Sequence, residues 1–154
     1  MDKFPKLAVD VLVAKDEKIL LIKRKHEPFK GKYALPGGFV EYGETVEQAA
    51  VRECKEETGI DVELEGLLGV YSDPGRDPRW HIISVVFFGS AKKGKPTASN
   101  ETEDVGYRSL KEIENMELAS DHETMIEDFK IIHMSDALSS ISRPAREEGN
   151  IEKR

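Results

Sequence analysis

Apolar residues in this chain come in short runs divided by turn formers, and the period of each run predicts an element. Leu7 to Lys15 (LAVDVLVAK) is β-branched and partly alternating, which predicts a strand. Asp16-Glu17 reads as a turn, and Lys18 to Lys23 as a second strand in a hairpin with the first. Its Ile19-Leu20-Leu21-Ile22 is apolar on both parities, as in a strand covered on both faces. In Tyr33 to Val40 a proline and two glycines predict a sharp backbone feature rather than a continuous central strand. From Thr45 to Thr58 the period becomes helical: Val46, Ala49, Ala50 and Cys54 make the early turns apolar. Thr45 and Gln48 form a capping box, and Gly59 is a stop that needs positive φ.

Beyond the helix, Val62 to Tyr71 predicts a strand in which Gly66 or Gly69 marks a bulge or a close approach. Trp80 to Gly89 (WHIISVVFFG) reads most clearly as a strand, Ala91 to Asn100 as a connector, and Glu101 to Asp104 as an acidic patch. Val105 to Arg108 predicts a short strand. Ser109 with Glu112 predicts a capped helix through Met116, and Ser120 with Glu123 a longer one. Met125, Phe129 and Ile132 share a stripe of that longer helix, fit for the core or a subunit contact, so a homodimer is among the expected states. Strands and helices interleave irregularly and one strand is covered on both faces. An α/β fold, an α/β/α sandwich around a mixed β-sheet, accounts for both.

The chain's 154 residues suffice for one domain with a real core, expected over residues 1–143. Residues 144–154 form a charged tail, expected to be disordered. One cysteine excludes an internal disulfide, and Cys54 falls on an apolar helix face without a histidine partner, so packing is its expected role. No run reaches membrane-spanning length and no signal-peptide core opens the chain, so a cytoplasmic protein is expected. The net charge of −7 and pI near 5.2 argue against broad nucleic-acid binding.

The predicted helix carries the chemistry. Glu53 with Glu57 and Glu53 with Glu56 lie at i,i+4 and i,i+3, so the three carboxylates share one side. Alone, such a cluster is a solvated acidic face. Clustered hard oxygen ligands also suit Mg²⁺ or Mn²⁺, which need only a few carboxylates plus water and substrate phosphates. Gly37 and Gly38 allow close backbone approach and offer a carbonyl as a further ligand. Arg52 is placed to pair with Glu44 and hold the loop against the helix. An EF-hand does not fit, because its ligands alternate through a loop. At the end of the second strand, Arg24, Lys25 and His26 form a basic cluster, either solvated or turned toward substrate phosphates.

Gly38, Glu44, Arg52-Glu53, Glu56-Glu57 and Gly59-Ile60 fit G-x5-E-x7-R-E-U-x-E-E-x-G-U, where U is a bulky aliphatic. This resembles the Nudix box, and the chain is similar to Nudix hydrolases. Cys54 departs from the usual Val, Leu or Ile, which touches packing rather than chemistry. The resemblance implies the same sandwich, with a divalent metal held by Glu53, Glu56, Glu57 and the Gly37 carbonyl. Mg²⁺ is the expected cofactor, and Mn²⁺ a substitute.

Outside the box, Arg24-Lys25 with Glu27 to Gly31, Tyr71 to Pro74 with Arg76 to Arg79, and Leu118 to His122 resemble the ADP-ribose pyrophosphatase branch. That likeness implies hydrolysis of ADP-ribose to AMP and ribose 5-phosphate. Arg24, Arg76, Arg79 and Gly38 would meet the small nucleotide substrate, and Glu53, Glu101, Arg52 and Glu44 would serve catalysis. Glu101 takes the position of a loop general base, with Glu103 as second choice. Two other functions stay open: a MutT-like nucleoside-triphosphate pyrophosphatase, and a non-catalytic ADP-ribose sensor, against which the full glutamate set argues.

Overall fold

Strand β1 (Lys6–Lys15) and strand β2 (Lys18–Arg24) form the expected hairpin, turning through Asp16 and Glu17 at positive φ. The computed structural model describes residues 3–142, so the charged stretch at 144–154 lies outside the described residues. After the hairpin turn the two strands part. The other half of β1 pairs antiparallel with β4 (Gly37–Phe39), while β2 takes β3 (Tyr33–Ala34) on one side and β7 (Thr102–Ser109) on the other. On its second edge β1 runs parallel to β6 (Ile82–Lys93), which pairs antiparallel with β5 (Asp61–Tyr71). The sheet is therefore mixed.

Pleat alternation sends β1 to two cores. Val9, Val11 and Val13 pack with Leu20 against Ala49, Ala50 and Cys54 of α1 (Val46–Thr58). Leu12 faces the opposite side, where Ile19, Leu21 and Val86 meet Met125, Ile126 and Phe129 of α3 (His122–Ser142). Helices thus cover both faces, and Ile19 to Ile22 are all buried, as their double parity predicts. The α1 capping box closes reciprocally between Thr45 and Gln48, and Gly59 ends the helix at φ 75°.

Some boundaries differ from the sequence reading. Strand β6 begins at Ile82 and runs on to Lys93, because polar residues continue the ladder: Ser90 pairs with Glu63, and Ala91 with Val62. Trp80 stands before it, its indole N–H donating to the Phe4 carbonyl at 2.9 Å. Strand β7 takes in part of the expected acidic patch, since Asp104 lies opposite Lys23 and Thr102 opposite Arg24. The register of β5 shifts between Leu64 and Gly66 and between Leu67 and Gly69. A Cβ on Gly66 would stand 2.7 Å from the Phe88 ring, so the close approach is real there.

Helix α2 (Leu110–Ile113) has its Ser109–Glu112 box but stops three residues short of Met116. The Ser120–Glu123 box is replaced by another arrangement. Ser120 sits at φ 49° with its hydroxyl donating to the Arg76 carbonyl at 2.7 Å, and the Asp121 carbonyl accepts from the Met125 N–H. Ile132 is 38% exposed, and Ile126 completes the buried stripe in its place.

Candidate functional site

Between the β1–β4 edge, the last two turns of α1 and the loop before α3 lies a cavity of about 410 Å³. The capping box fixes where α1 begins, and therefore which side of the sheet its C-terminal carboxylates reach. Glu53 and Glu57 line the cavity, while Glu56, 60% exposed at its side chain, points to Arg52 outside it. Two glycines let β4 come this close. A Cβ on Gly38 would stand 2.6 Å from both Glu53 carboxylate oxygens. A Cβ on Gly37 would come within 2.9 Å of the Asp10 Cα and nearer still to the Val9 carbonyl oxygen. The Gly37 N–H donates to Glu57 Oε1 at 3.3 Å.

Arg52 holds this corner together. Its Nε and Nη2 clasp the two Glu44 oxygens at 2.7 and 2.8 Å, the fork geometry that makes arginine–carboxylate pairs strong. Its Nη1 reaches Glu53 Oε1 at 2.8 Å and Glu56 Oε2 at 3.3 Å, and Nη2 also donates to the Phe39 carbonyl at 3.1 Å. Hydrogen bonding from Arg52 drops the Glu44 carboxyl to about 2. Glu44 and Arg52 therefore brace the loop, as their spacing suggested.

Deeper in the cavity the balance is reversed. Burial pushes the Glu57 carboxyl up to about 9, and the neighbouring Glu53 charge adds to the effect. Burial also raises Glu53 and Asp10. Arg24, at the end of β2, is the cation whose charge bears on Glu57, and its Nε donates to the Pro28 carbonyl at 2.7 Å. Among the described residues neither Asp10 nor Glu57 has a lysine or arginine at ion-pair distance, and Glu53 shares Arg52 with Glu44 and Glu56, so a hard divalent cation with oxygen ligands would supply the missing charge. The donor set fits Mg²⁺ or Mn²⁺ in that sense. Among the described residues, however, no three acidic, histidine or cysteine side chains already converge as a closed metal cage.

Asp10 and His122 are absent from the sequence-based set, yet both are buried and line the cavity. Asp10 accepts from Ser84 Oγ at 2.5 Å, and its other oxygen lies 3.6 Å from His122 Nε2. His122 Nδ1 accepts from the Leu35 N–H at 3.0 Å, which leaves the ring proton on Nε2, toward Asp10. An aspartate interrupting the apolar run of β1 was the available signal. The β1–β6 register that brings Ser84 opposite could not be read from the chain.

The remaining expected residues separate by place. Glu101 lines the cavity, whereas Glu103 pairs with Lys23 at 3.6 Å. Arg76 also lines it, but gives Nε and Nη2 to Asp121 at 3.0 and 2.8 Å and Nη1 to the Ile82 carbonyl. It acts chiefly as a brace between loop and helix. Arg79 is nearly half exposed at the rim, tied through Nε and Nη2 to Asp77. His26 lies among the lining residues beside Arg24 and Lys25. Cys54 is fully buried and its thiol is pushed up to about 11 by burial, so it has no thiolate to offer.

Comparison with known proteins adds findings of three kinds. The model of the NUDIX domain family matches residues 4–129. An ADP-ribose pyrophosphatase of Methanocaldococcus jannaschii is 53% identical over 125 residues, covering 81% of this chain and 73% of the relative. A putative 8-oxo-dGTP diphosphatase of Bacillus subtilis is 40% identical over 98 residues, 64% of this chain and 60% of that one. Among solved structures, the NUDIX domain of Shewanella oneidensis NrtR complexed with ADP ribose has a TM-score of 0.78 at 27% identity, covering 86% of this chain and 90% of that one. A bifunctional NMN adenylyltransferase/ADP ribose pyrophosphatase from Francisella tularensis, complexed with AMP and a Mn ion, has a TM-score of 0.75 at 30% identity, covering 88% of this chain and 42% of that one.

Proposed function

This chain belongs to the NUDIX family and is a Nudix hydrolase, and from that premise we propose that it hydrolyses the diphosphate of ADP-ribose to AMP and ribose 5-phosphate with Mg²⁺. One observation carries the reading. A single cavity sets the Glu53 and Glu57 carboxylates beside the Arg24 guanidinium, an acidic end for a cation and a basic end for phosphate. The M. jannaschii relative, 53% identical, supports ADP-ribose as the substrate. A single catalytic unit over residues 1–143, in the cytoplasm, goes with this reading. Among the described residues no helix is long and apolar enough to cross a membrane.

Glu53, Glu57 and the Gly37 carbonyl would hold the metal, with Glu56 joining from the rim. When bound, the metal neutralises phosphate charge and acidifies a water. The chain's own residues do the rest. Arg24 orients the diphosphate, and Arg52 fixes Glu44 and Glu53 so that the loop keeps its place. Gly38 leaves room for the Glu53 carboxylate. Glu101 enters the cavity from the loop before β7 and accepts the proton of the attacking water. Catalysis is then largely positioning and charge compensation, as in phosphoryl-type transfers generally.

A substrate panel tests the assignment: ADP-ribose, 8-oxo-dGTP and dATP with Mg²⁺, products separated and identified. The reading expects AMP and ribose 5-phosphate from ADP-ribose, at a kcat/KM at least about tenfold above either triphosphate. Pyrophosphate release from the triphosphates at the higher kcat/KM would make the enzyme a nucleoside-triphosphate pyrophosphatase instead. Binding of ADP-ribose without turnover would make it a sensor.

A further inference from the structure

Phe39 ends β4, one residue after the glycine that makes room for Glu53, and it is 41% exposed although it lines the cavity. A phenyl ring left in water at a site mouth forgoes the gain of burial. The other exposed aromatic rings among the described residues, Phe4, Tyr42 and Trp80, lie outside the cavity lining and need no explanation. The surroundings of Phe39 are built. The Arg79 guanidinium stands 5.8 Å from the ring centroid, and Lys6 Nζ 5.6 Å from it. Arg79 is aimed there by Asp77, a buried carboxylate that accepts from the Arg79 backbone N–H at 2.9 Å, from Nε at 3.1 Å and from Nη2 at 3.0 Å. A buried carboxylate spent on holding a half-exposed arginine beside an exposed ring is a positioning device. The Phe39 carbonyl is itself held by Arg52, so the ring is tied to the box helix as well.

We propose that Phe39 and Arg79 form the nucleobase-binding platform of this site, with Asp77 as the residue that positions Arg79. The proposal rests on the reading above, that the substrate is a nucleotide, and adds where its base lies. A flat π-face accepts a base by stacking, and a guanidinium plane stacks on the base from the other side. Two layers at van der Waals separation need about 7 Å between ring and guanidinium. The present 5.8 Å is short of that by about 1 Å, which an exposed arginine end supplies by moving outward. Stacking does not discriminate strongly among bases. The platform therefore favours a nucleotide over a base-free diphosphate more than it favours adenine over guanine.

The test separates the platform from the hydrolytic reading by using two readouts. In the first, Phe39→Leu, Phe39→Trp and Asp77→Asn are assayed on ADP-ribose and on a ribose diphosphate ester that lacks a base. Phe39→Leu should raise KM for ADP-ribose about tenfold or more, with kcat within about twofold and the base-free substrate unaffected. Phe39→Trp should restore the wild-type KM. Asp77→Asn should raise KM in the same direction by a smaller factor. In the second, AMP is titrated into Phe39→Trp in a Trp80→Phe background. Saturable quenching of the introduced indole is expected whether or not ADP-ribose is turned over, so its presence supports the platform even if the substrate proves to be another nucleotide. Equal loss on both substrates in Phe39→Leu, an unchanged KM, or no quenching by AMP while ADP-ribose is hydrolysed would each overturn the proposal.

Discussion

Replacing Gly38 with alanine adds one methyl group where the structure puts the Glu53 carboxylate. The new Cβ would lie 2.6 Å from both carboxylate oxygens, against 3.4 Å for ordinary contact. The carboxylate must retreat by about 0.8 Å, and its Cδ is nearer still. The backbone at Gly38 is not left-handed, so alanine fits its φ and slightly reduces the entropy of the unfolded chain. What yields is the far end of one side chain, at a rotamer cost of about 1 kcal/mol. Folding should survive, with the unfolding free energy within about 1 kcal/mol of wild type. Turnover should not. A misplacement near 1 Å in a catalytic constellation costs about a hundredfold, or ~2.7 kcal/mol at the transition state.

The assay is kcat for ADP-ribose under saturating Mg²⁺, beside urea unfolding of the same preparation. Gly37→Ala is the contrast. There the methyl meets the Val9 carbonyl and the Asp10 Cα, which belong to a central strand and cannot swing aside, so stability should fall by about 3 kcal/mol. A folded Gly38→Ala enzyme with near-normal kcat would show that the Glu53 position is not critical. An unfolded Gly38→Ala would show that the glycine serves the backbone rather than the site.

Further substitutions examine the other assignments. Glu101→Gln should lower kcat about a hundredfold with little change in KM and flatten the acidic limb of the pH–rate profile, while Glu103→Gln, whose carboxylate pairs with Lys23, should do neither. The reverse pattern would move the base to Glu103. Cys54→Val should cost less than about 1.5 kcal/mol and leave kinetics unchanged, and a folded but dead variant would restore a role for the thiol. Arg76→Met should cost about 2 kcal/mol, less than a fully buried pair because Asp121 is a quarter exposed at its side chain. Burial raises the Asp121 carboxyl, but Arg76 outweighs it and holds the group below the usual aspartate range. The stabilisation is therefore present above about pH 4 and lost as pH falls through the lowered pKa. The stability gap between wild type and Arg76→Met, followed by urea unfolding, should close below that pH, and a gap constant into acid would contradict the pairing.

The features legible in the sequence are those set by local chemistry. The period of α1, its capping box and the glycine after it depend on residues within one or two turns, and so does the Glu53–Glu57 face. The hairpin and the double burial of Ile19 to Ile22 follow from a turn and a parity. Less legible is whatever depends on register between distant strands. Strand β6 continues through polar residues because β5 lies alongside, and periodicity within a single strand carries no record of its neighbour. Ser120 offers the hydroxyl of a helix cap and uses it on the Arg76 carbonyl, forty-four positions away. Asp10 and His122 meet only because β1 and α3 pack at the same end of the sheet. Arg76, grouped with the substrate residues by its motif, is turned into a brace by Asp121, which the motif does not announce.

In the proposed mechanism a divalent metal held by the box carboxylates drives hydrolysis of ADP-ribose, and Glu57, buried against Gly37, is its most sensitive point. The direct measurement is AMP formation from ADP-ribose as Mg²⁺ is titrated from zero in excess chelator, for wild type and Glu57→Gln side by side. The glutamine keeps the shape and removes the ligand charge. Expected are no turnover without metal, a saturable rise in the wild type, and at least about a hundredfold lower kcat in the folded variant, ~2.7 kcal/mol at the transition state. Near-normal Mg²⁺-dependent turnover in Glu57→Gln, or AMP formation that persists in chelator, would contradict it.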